Sequence, residues 1–416
     1  MLHGLAIPGV ALRSFDISWV NETRSEYYLA DRSTSGVDII STRSLKFLRT
    51  IPGFAGIVPT TSMGVSSTLS GPNGVTAHGN WLYAGDGNST LHTINLTALP
   101  LNNPPQTVVG TGGKTRLDEM ALTPDGLTLI AANNAENPPF ATVFTACGDS
   151  TATTCTPTSK GTVKISSALL PAGFGLGLEQ PIWDDKTKRF YVSVPTIANN
   201  PAGCNYGQLS SGVTCSGGMA VIDPTASFPQ TLGPFDPVAF SGVVPLQACN
   251  PSGIAGIPND MIMLSCSAAP VTVMNDSPPF NFAEVFNIGG ADEIWWNPGS
   301  DNRYYLGASK HVGTPGSSCV QFTSGGSPIP PTTQCPALGV VDITSVLLET
   351  IPVSSGTHSV AADSNQNYIF VPQVGTIPIV GIGGDTTTNG AAICGTNNGC
   401  VAVYQHNTQS NPNPRP

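Results

Sequence analysis

The stretch that decides the fold reads GADEIWWNPG at residues 290–299 and continues as NRYYLG at residues 302–307. Polar residues lead into a short apolar strand, a turn follows, and a second apolar strand comes next. Short β-branched or aromatic runs bounded by Gly, Asn and Pro are typical of β-hairpins. This copy is anchored on Ile294. Six further copies are anchored on Ile17, Val75, Met120, Ile182, Ile254 and Val360.

Seven repeats of one hairpin indicate a closed array of similar units. Each hairpin is followed by a third strand, such as residues 36–40, 218–223 and 338–342, and often by a fourth. A four-stranded antiparallel unit repeated round a ring is a blade of a β-propeller. We therefore predict an all-β, seven-bladed β-propeller with four-stranded antiparallel blades, formed as a single domain by residues 1–406.

Blade seven lacks a fourth strand from its own end of the chain. Residues 407–416 are polar and rich in proline, and proline is disfavoured inside sheets, so we predict a tail there. We expect the N-terminal residues 5–12 to supply the missing strand. Such closure removes an exposed sheet edge that would otherwise invite aggregation.

The composition argues against nucleic acids and membranes as partners. The 16 Lys and Arg against 26 Asp and Glu give a formal net charge of −10, whereas nucleic-acid binders need clustered basic residues. The apolar runs are too short to span a membrane. We expect a monomer that binds a small-molecule ligand or substrate, with no nucleic-acid partner and no membrane span.

The ten cysteines lie in neighbouring pairs without the C-x2-C spacing of zinc or redox sites. One interpretation is free thiols in a cytosolic protein. The interpretation that we favour is five local disulfides in an oxidising compartment, secreted or periplasmic, with the signal peptide absent from this sequence. Sequons at Asn21, Asn88, Asn95 and Asn275 leave glycosylation open. The predicted pairs are Cys147/Cys155, Cys204/Cys215, Cys249/Cys266, Cys319/Cys335 and Cys394/Cys400.

Three long insertions, residues 195–217, 309–336 and 373–399, lie between predicted second and third strands. In a propeller such loops open on the same face as the starts of the innermost strands. Long loops are usually functional or disordered, and disulfides favour order. We therefore predict that this face, called the loop face below, carries the functional site.

Residues at the starts of the innermost strands converge on the central axis at the loop face. They are mostly carboxylates and amides, with one imidazole, and such an oxygen-rich ring suits Ca²⁺ best, or Mg²⁺ or Mn²⁺. Because the ring is strongly acidic, either a cation neutralises it or some carboxyls are protonated with raised pKa values. The ring comprises Asp16, Asn73, Asp118, Glu119, Glu179, Gln180, Asn250, Ser252, Asp292, Glu293, His358 and Ser359.

A plainer interpretation is that these polar residues bind only neighbouring backbone and channel water. Trp295 and Trp296 likewise fit core packing, although one of them could shape a pocket beside Glu293. His311 lies on a long loop that could reach the axis. The candidate substrate-binding residues are Asp16, Asp118, Gln180, Asp292, Trp295 and His311.

The segments YYLAD (27–31) and GVDII (36–40), with MAVID (219–223) and GVVD (339–342), resemble the YncE-like, or YVTN-repeat, β-propeller proteins. The resemblance covers nearly the whole chain and is specific for the fold. That group is typically exported, and many of its members have no known activity.

More distantly, the architecture resembles propeller lactonases and the gluconolactonase group, where Glu, Asn and Asp at blade starts hold a divalent cation. The resemblance implies metal ligands at Asn73, Glu119, Glu179 and Glu293. The gluconolactonase group has six blades, so its ligand register does not transfer directly to a seven-bladed ring.

The sequence leaves three functions open. The first is metal-dependent hydrolysis of lactones or related esters, with Glu119 or Glu293 moving protons and His358 orienting or stabilising groups. The second is a non-catalytic propeller that recognises a glycan, peptide or metabolite through its disulfide-braced loops. The third is an oxidative or other enzyme acting on an aromatic substrate.

Overall fold

The computed structural model describes residues 1–60, 64–170, 177–197, 204–205, 208–209, 216–246, 249–258, 260–266, 270–285, 288–298, 301–309, 336–376 and 389–406. Over these residues the chain forms seven antiparallel blades in a ring, which confirms the predicted propeller. The first strand of each blade contacts the first strand of the next, and the seventh contacts the first.

The strands of each blade follow one another from the axis outward. Blade 1 comprises Phe15–Asn21, Glu26–Asp31, Gly36–Ser41 and Lys46–Pro52; blade 2, Val75–His78, Trp81–Gly85, Thr90–Asn95 and Gln106–Gly110; blade 3, Met120–Leu122, Thr128–Asn133, Phe140–Thr145 and Thr158–Ile165; blade 4, Pro181–Asp184, Arg189–Val194, Gly218–Ile222 and Gly242–Pro245; blade 5, Pro251–Ile257, Met261–Cys266, Val271–Asn275 and Phe282–Val285; blade 6, Glu293–Asn297, Arg303–Ala308, Ala337–Asp342 and Leu347–Pro352; blade 7, Ala361–Asp363, Tyr368–Gln373, Cys400–Gln405 and His3–Leu5.

The hairpin anchors lie where the sequence pattern places them. Six anchors are inside first strands, and Val360 directly precedes Ala361–Asp363. Second and third strands are almost wholly buried: Tyr27, Tyr28 and Tyr304, for example, have no exposed surface. Their apolar side chains fill the spaces between adjacent blades, which explains why these strands read as nearly continuous hydrophobic runs.

The ring closes through the N-terminus, as predicted. His3–Leu5 pairs antiparallel with Cys400–Gln405, with Leu5 opposite Val401. The strand is shorter and earlier than the predicted residues 5–12, because Pro8 has no N–H to donate and Gly9 adopts a φ of +98°. Ile7, which follows the strand, is buried in the core.

Two elements are not indicated by the hairpin pattern. Gln230–Leu232 leaves blade 4 and pairs in parallel with Thr158–Ile165, so blade 3 gains a fifth, outermost strand. A six-residue helix, Asn389–Cys394, precedes the third strand of blade 7. No helix in the described part of the chain is long and apolar enough to cross a bilayer.

Three predicted disulfide bonds are confirmed: Cys147–Cys155, Cys249–Cys266 and Cys394–Cys400. The predicted pairs Cys204/Cys215 and Cys319/Cys335 lie outside the described side chains. Disulfides persist in oxidising environments, so the three bonds fit such a compartment. Export itself stays a prediction.

Deleting residues 1–6 tests the ring closure. The deletion exposes the edge of Cys400–Gln405 and removes its hydrogen bonds to the N-terminal strand, including the one from Leu2 N to Val403 O. We expect the free energy of unfolding to fall by about 3 kcal/mol, at roughly 1 kcal/mol for each lost bond, and the protein to self-associate. Urea unfolding and size-exclusion chromatography measure the two effects.

Deleting residues 407–416 is the matched control, because we predict that this tail supplies no strand. A monomeric 7–416 variant with the wild-type unfolding midpoint would show that the N-terminal strand does not hold the ring closed.

Candidate functional site

The first strands bring the predicted polar residues to the axis in two groups. The group nearer the loop face, called the mouth cluster below, combines predicted side chains with two arginines and an asparagine from neighbouring loops. The deeper group lines a cavity on the axis. The mouth cluster comprises Asp16, Arg32, Asn73, Arg116, Asp118, Asn134, Glu179 and His358.

Asp16 is the centre of the mouth cluster. Its Oδ2 contacts Arg32 Nη2 and lies 3.6 Å from Arg116 Nη1, while its Oδ1 lies 3.2 Å from His358 Nε2. Burial alone would raise the pKa of Asp16, but Arg32, the bond to His358 and Arg116 together lower it well below its usual value. The carboxylate therefore stays charged and joins blades 7, 1 and 3.

Arg32 and Arg116 extend this network round the ring. Asn73 Oδ1 accepts hydrogen bonds from Arg32 Nε at 3.1 Å and Nη2 at 2.6 Å. Arg116 Nη2 lies 2.8 Å from Asp118 Oδ2, and its Nε donates to Asn134 Oδ1 at 2.8 Å. The network thus links the starts of blades 1, 2 and 3 by charge-assisted bonds.

These arginines offset part of the negative charge of the acidic ring that the sequence predicts. The acidic ring needs a cation or protonated carboxyls, and two guanidinium groups supply positive charge at Asp16 and Asp118. Sequence reasoning missed both arginines, although Arg32 directly follows the second strand of blade 1 and Arg116 stands two residues before Asp118. The chain has only 16 Lys and Arg residues, and two of them lie in sequence close to the predicted acidic ring. Their positions could therefore have indicated ion pairs at the axis.

Glu293 has its carboxylate engaged by the next blade. Its Oε2 accepts from Val360 N at 2.9 Å and lies 2.6 Å from Ser359 Oγ, which in turn lies 2.7 Å from Ser18 Oγ. Burial raises the pKa of Glu293 to about 8, although these hydrogen bonds oppose the shift. The side chain therefore fastens blade 6 to blades 7 and 1.

Other ring residues serve the backbone, as the plainer interpretation predicts. Gln180 Oε1 accepts from Ile254 N at 2.8 Å and Ile294 N at 3.1 Å, so this amide reaches across from blade 4 to blades 5 and 6. Asn250 Nδ2 donates to Pro195 O at 2.6 Å, and Ser252 Oγ donates to Ala291 O at 2.9 Å.

Glu119 differs from Glu293 and Gln180 in its hydrogen bonds. Its side chain is 3% exposed, and among the described residues its Oε2 has no hydrogen-bond partner. Burial raises the pKa of Glu119 well above its usual value, and the nearby carboxyls of Glu179, Asp118, Asp292 and Glu293 raise it further. The side chain is therefore a buried, protonated carboxyl with one oxygen, Oε2, that has no partner among the described residues.

Glu119 and Glu293 line an axial cavity of about 410 Å³. The cavity wall is otherwise mainly apolar, with Gln180 beside the two carboxyls and Trp19, Trp183, Trp295 and Trp296 further along the axis. Trp295 packs edge-to-face against Trp19, with ring centroids 4.9 Å apart. Six hairpin anchors form the middle of the wall: Ile17, Val75, Met120, Ile182, Ile254 and Ile294.

The cavity opens away from the loop face. Glu119 and Glu293 are buried, whereas the four tryptophans are half-buried and Pro124, beyond the end of its first strand, is exposed. These partly exposed residues lie where first strands turn into second strands, on what we call the turn face. We predicted a site at the loop face, but the cavity is reached from the opposite side.

The predicted metal ligands are largely committed to protein partners. Asn73 Oδ1 binds Arg32, Glu179 Oε1 accepts from Asn134 Nδ2 at 3.0 Å, and Glu293 Oε2 binds Val360 and Ser359. The described residues contain no group of three His, Cys, Asp or Glu side chains placed to hold a metal ion. These residues therefore do not fit the predicted cation, and we derive no step through one.

Three predicted site residues remain: His358, Asp292 and His311. His358 stacks on Phe15, with ring centroids 4.8 Å apart, and its Nδ1 lies 2.5 Å from Gly356 O. Both contacts hold the imidazole in the mouth cluster. Asp292 is half-buried at the start of blade 6. His311 lies outside the described residues.

Asp16→Asn tests whether the mouth cluster holds the blades together. The substitution leaves two guanidinium groups without their shared carboxylate, and breaking a buried ion pair costs about 3 kcal/mol. We expect that loss in urea unfolding at pH 7. Asp185→Asn, which alters an exposed pair with Lys188, is the control and leaves the midpoint unchanged. Equal midpoints for all three proteins would show that the cluster carries no stability.

Glu293→Gln tests the protonation of the buried carboxyl. Glu293 keeps its proton in the folded state up to a pKa of about 8 but loses it near 4.5 when unfolded, so its stabilising contribution falls as pH rises between these values. The slope is about 1.4 kcal/mol per pH unit. In urea unfolding from pH 5 to pH 8, the free energy of unfolding of the wild type minus that of the variant should therefore fall by about 1.4 kcal/mol per pH unit.

Glu284→Gln, on an exposed outer strand, is the control and should run parallel to the wild type. Wild-type and Glu293→Gln curves that also run parallel would contradict the raised pKa.

Solved structures of other proteins share this architecture. A chain of the Kuenenia stuttgartiensis hydrazine synthase is similar at a TM-score of 0.55 and 10% identity, covering 88% of this chain and 95% of that chain. A chain in the crystal structure of the mitotic checkpoint complex gives 0.53 and 10%, covering 89% and 87%. No family model and no curated protein matches the sequence. These similarities support the propeller fold alone, so membership of the YncE-like group stays a prediction.

Proposed function

We propose that this propeller binds a small, mainly apolar molecule in its axial cavity. The observation that carries the proposal is a cavity of about 410 Å³ with the buried Glu119 carboxyl at one end, whose Oε2 has no partner among the described residues. Ligand pockets are usually concave, mostly apolar and a few hundred Å³ in volume, with a few placed polar groups.

The distribution of polar groups favours binding over the other predicted functions. Hydrolysis by a metal-bound water needs an open ligand set, and three of the four candidate ligands already bind protein groups. Metal-dependent lactone hydrolysis and oxidative chemistry on an aromatic substrate stay predictions from the sequence. The proposed binding also differs from the predicted recognition by loops, because the cavity wall belongs to the first strands.

One substitution can narrow the cavity, because Gly256 lines the wall and has room for a Cβ. A Cβ at Gly256 meets only Ile182 Cδ1 at 4.0 Å, so Gly256→Leu places its side chain beside the cavity wall without a backbone clash. We expect wild-type protein to bind the uncharged fluorophore N-phenyl-1-naphthylamine and Gly256→Leu to lose at least tenfold in affinity, as measured by fluorescence titration.

Gly110→Leu is the matched control, since nothing lies within 4 Å of a Cβ at that outer-strand position. This variant should bind the fluorophore as the wild type does. Equal binding by wild type and Gly256→Leu would place the probe elsewhere and contradict the proposed site.

A further inference from the structure

The two carboxyls of the cavity are chemically different. Glu293 Oε2 already accepts a hydrogen bond from Val360 N and contacts Ser359 Oγ, so its position serves the ring. Glu119 lines the same cavity, and its buried Oε2 has no hydrogen-bond partner among the described residues. A buried polar group without a partner is costly, and Glu119 is such a group in the wall of the cavity, so its carboxyl is the group that we consider as a ligand contact.

The surroundings of Glu119 set the kind of atom that it can receive. Acidic groups face it from blade 3 (Asp118), blade 4 (Glu179) and blade 6 (Asp292 and Glu293), and burial adds to their effect. These neighbours keep the carboxyl protonated, and a protonated carboxyl has an O–H to donate. An anionic ligand would find no positive charge here, since no Lys, Arg or His is among the described residues that line the cavity.

A cationic ligand fits the cavity less well than an uncharged one. A cation would require Glu119 to ionise and would bury an ion pair inside a mainly apolar wall, where the desolvation of both charges opposes binding. The positive charge available near the loop face already balances acids of the mouth cluster, because Arg32 and Arg116 contact Asp16 and Asp118. An uncharged ligand leaves this balance unchanged.

The shape of the wall sets the orientation of the ligand. The tryptophans lie toward the turn face, and Glu119 lies at the buried end. Aromatic side chains provide large apolar contact surfaces. A ligand that meets both features has an apolar body beside the tryptophans and a hydrogen-bond acceptor at its inner end.

We infer that the cavity selects uncharged molecules with a carbonyl-type acceptor, which enter from the turn face and accept a hydrogen bond from the Glu119 carboxyl. This assignment rests on the proposed binding function and specifies the ligand class for the same cavity. Ketones, aldehydes, esters and lactones share the required oxygen.

Three naphthalene probes of similar body test the assignment. They are the ketone 6-propionyl-2-(dimethylamino)naphthalene, its carbonyl-free analogue 2-(dimethylamino)naphthalene, and the cation 2-naphthylmethylammonium. We expect wild-type protein to bind the ketone about tenfold more tightly than either other probe, the effect of one hydrogen bond to an otherwise unpaired group. The ketone's emission, measured at binding saturation, should be red-shifted relative to that in Glu119→Leu, because its emission responds to hydrogen bonding.

Two variants separate the donor from the shape of the site. Glu119→Gln keeps an N–H donor and should bind the ketone within about threefold of wild type. Glu119→Leu removes the donor and should lose about tenfold for the ketone while binding the carbonyl-free probe unchanged. Urea midpoints of both variants confirm that they are folded before titration.

The outcomes distinguish failure of the carbonyl assignment from failure of the proposed binding function. If the ketone and the carbonyl-free probe bind equally, and Glu119→Leu changes neither, the cavity binds apolar molecules but the carbonyl assignment is wrong. If the cation binds most tightly and Glu119→Gln abolishes its binding, an ionised Glu119 receives amines and the assignment is again overturned. If no probe binds wild type, the proposed function itself fails.

Discussion

The central axis forces side chains from seven strands into one narrow space, and their charges must balance there. Asp16 meets this constraint by contacting Arg32, Arg116 and His358 together. Each cation belongs to a different blade or to a loop leading into one. The contacts that balance the charge of Asp16 therefore also hold neighbouring blades in position. A net charge of −10 over the chain makes the placement of these few cations more important.

In the axial cavity below the mouth cluster, the negative charge of carboxyls is avoided by protonation rather than balanced by cations. No cationic side chain is among the described residues that line the axial cavity, and the carboxyls of Glu119 and Glu293 are kept neutral by burial and by neighbouring acids. Glu293 then serves as a fastening between blades, while Glu119 offers its hydrogen-bonding capacity to the cavity. Acidic residues at the starts of strands therefore have two roles here. Glu293 is structural and Glu119 is the carboxyl that we propose contacts a ligand, and the two differ in the hydrogen-bond partners of their oxygens.

The hairpin pattern predicts the blades well because the buried strands are short apolar runs and the turns between them carry Gly, Pro, Asn and Asp. It also predicts which residues reach the axis, since Asp16, Asn73, Asp118, Glu119 and Glu293 all do so. The pattern cannot show which oxygens are already bonded, because Arg32 and Arg116 reach the ring from loops through long side chains. The pattern also does not predict the face on which the cavity opens. That face depends on the bulk of tryptophans at the far ends of the first strands, whereas the long loops lie on the other face.

The strand Gln230–Leu232 changes how the ring can open. It belongs in sequence to blade 4 but pairs with Thr158–Ile165 of blade 3, and both Val163 and Leu232 are buried in one core with residues of the two blades. Local opening of either sheet must therefore break contacts of the other, which raises the free energy of partial unfolding in this sector. We therefore expect the amide hydrogens of blades 3 and 4 to exchange as one cooperative unit, because partial unfolding of one blade disrupts the sheet of the other.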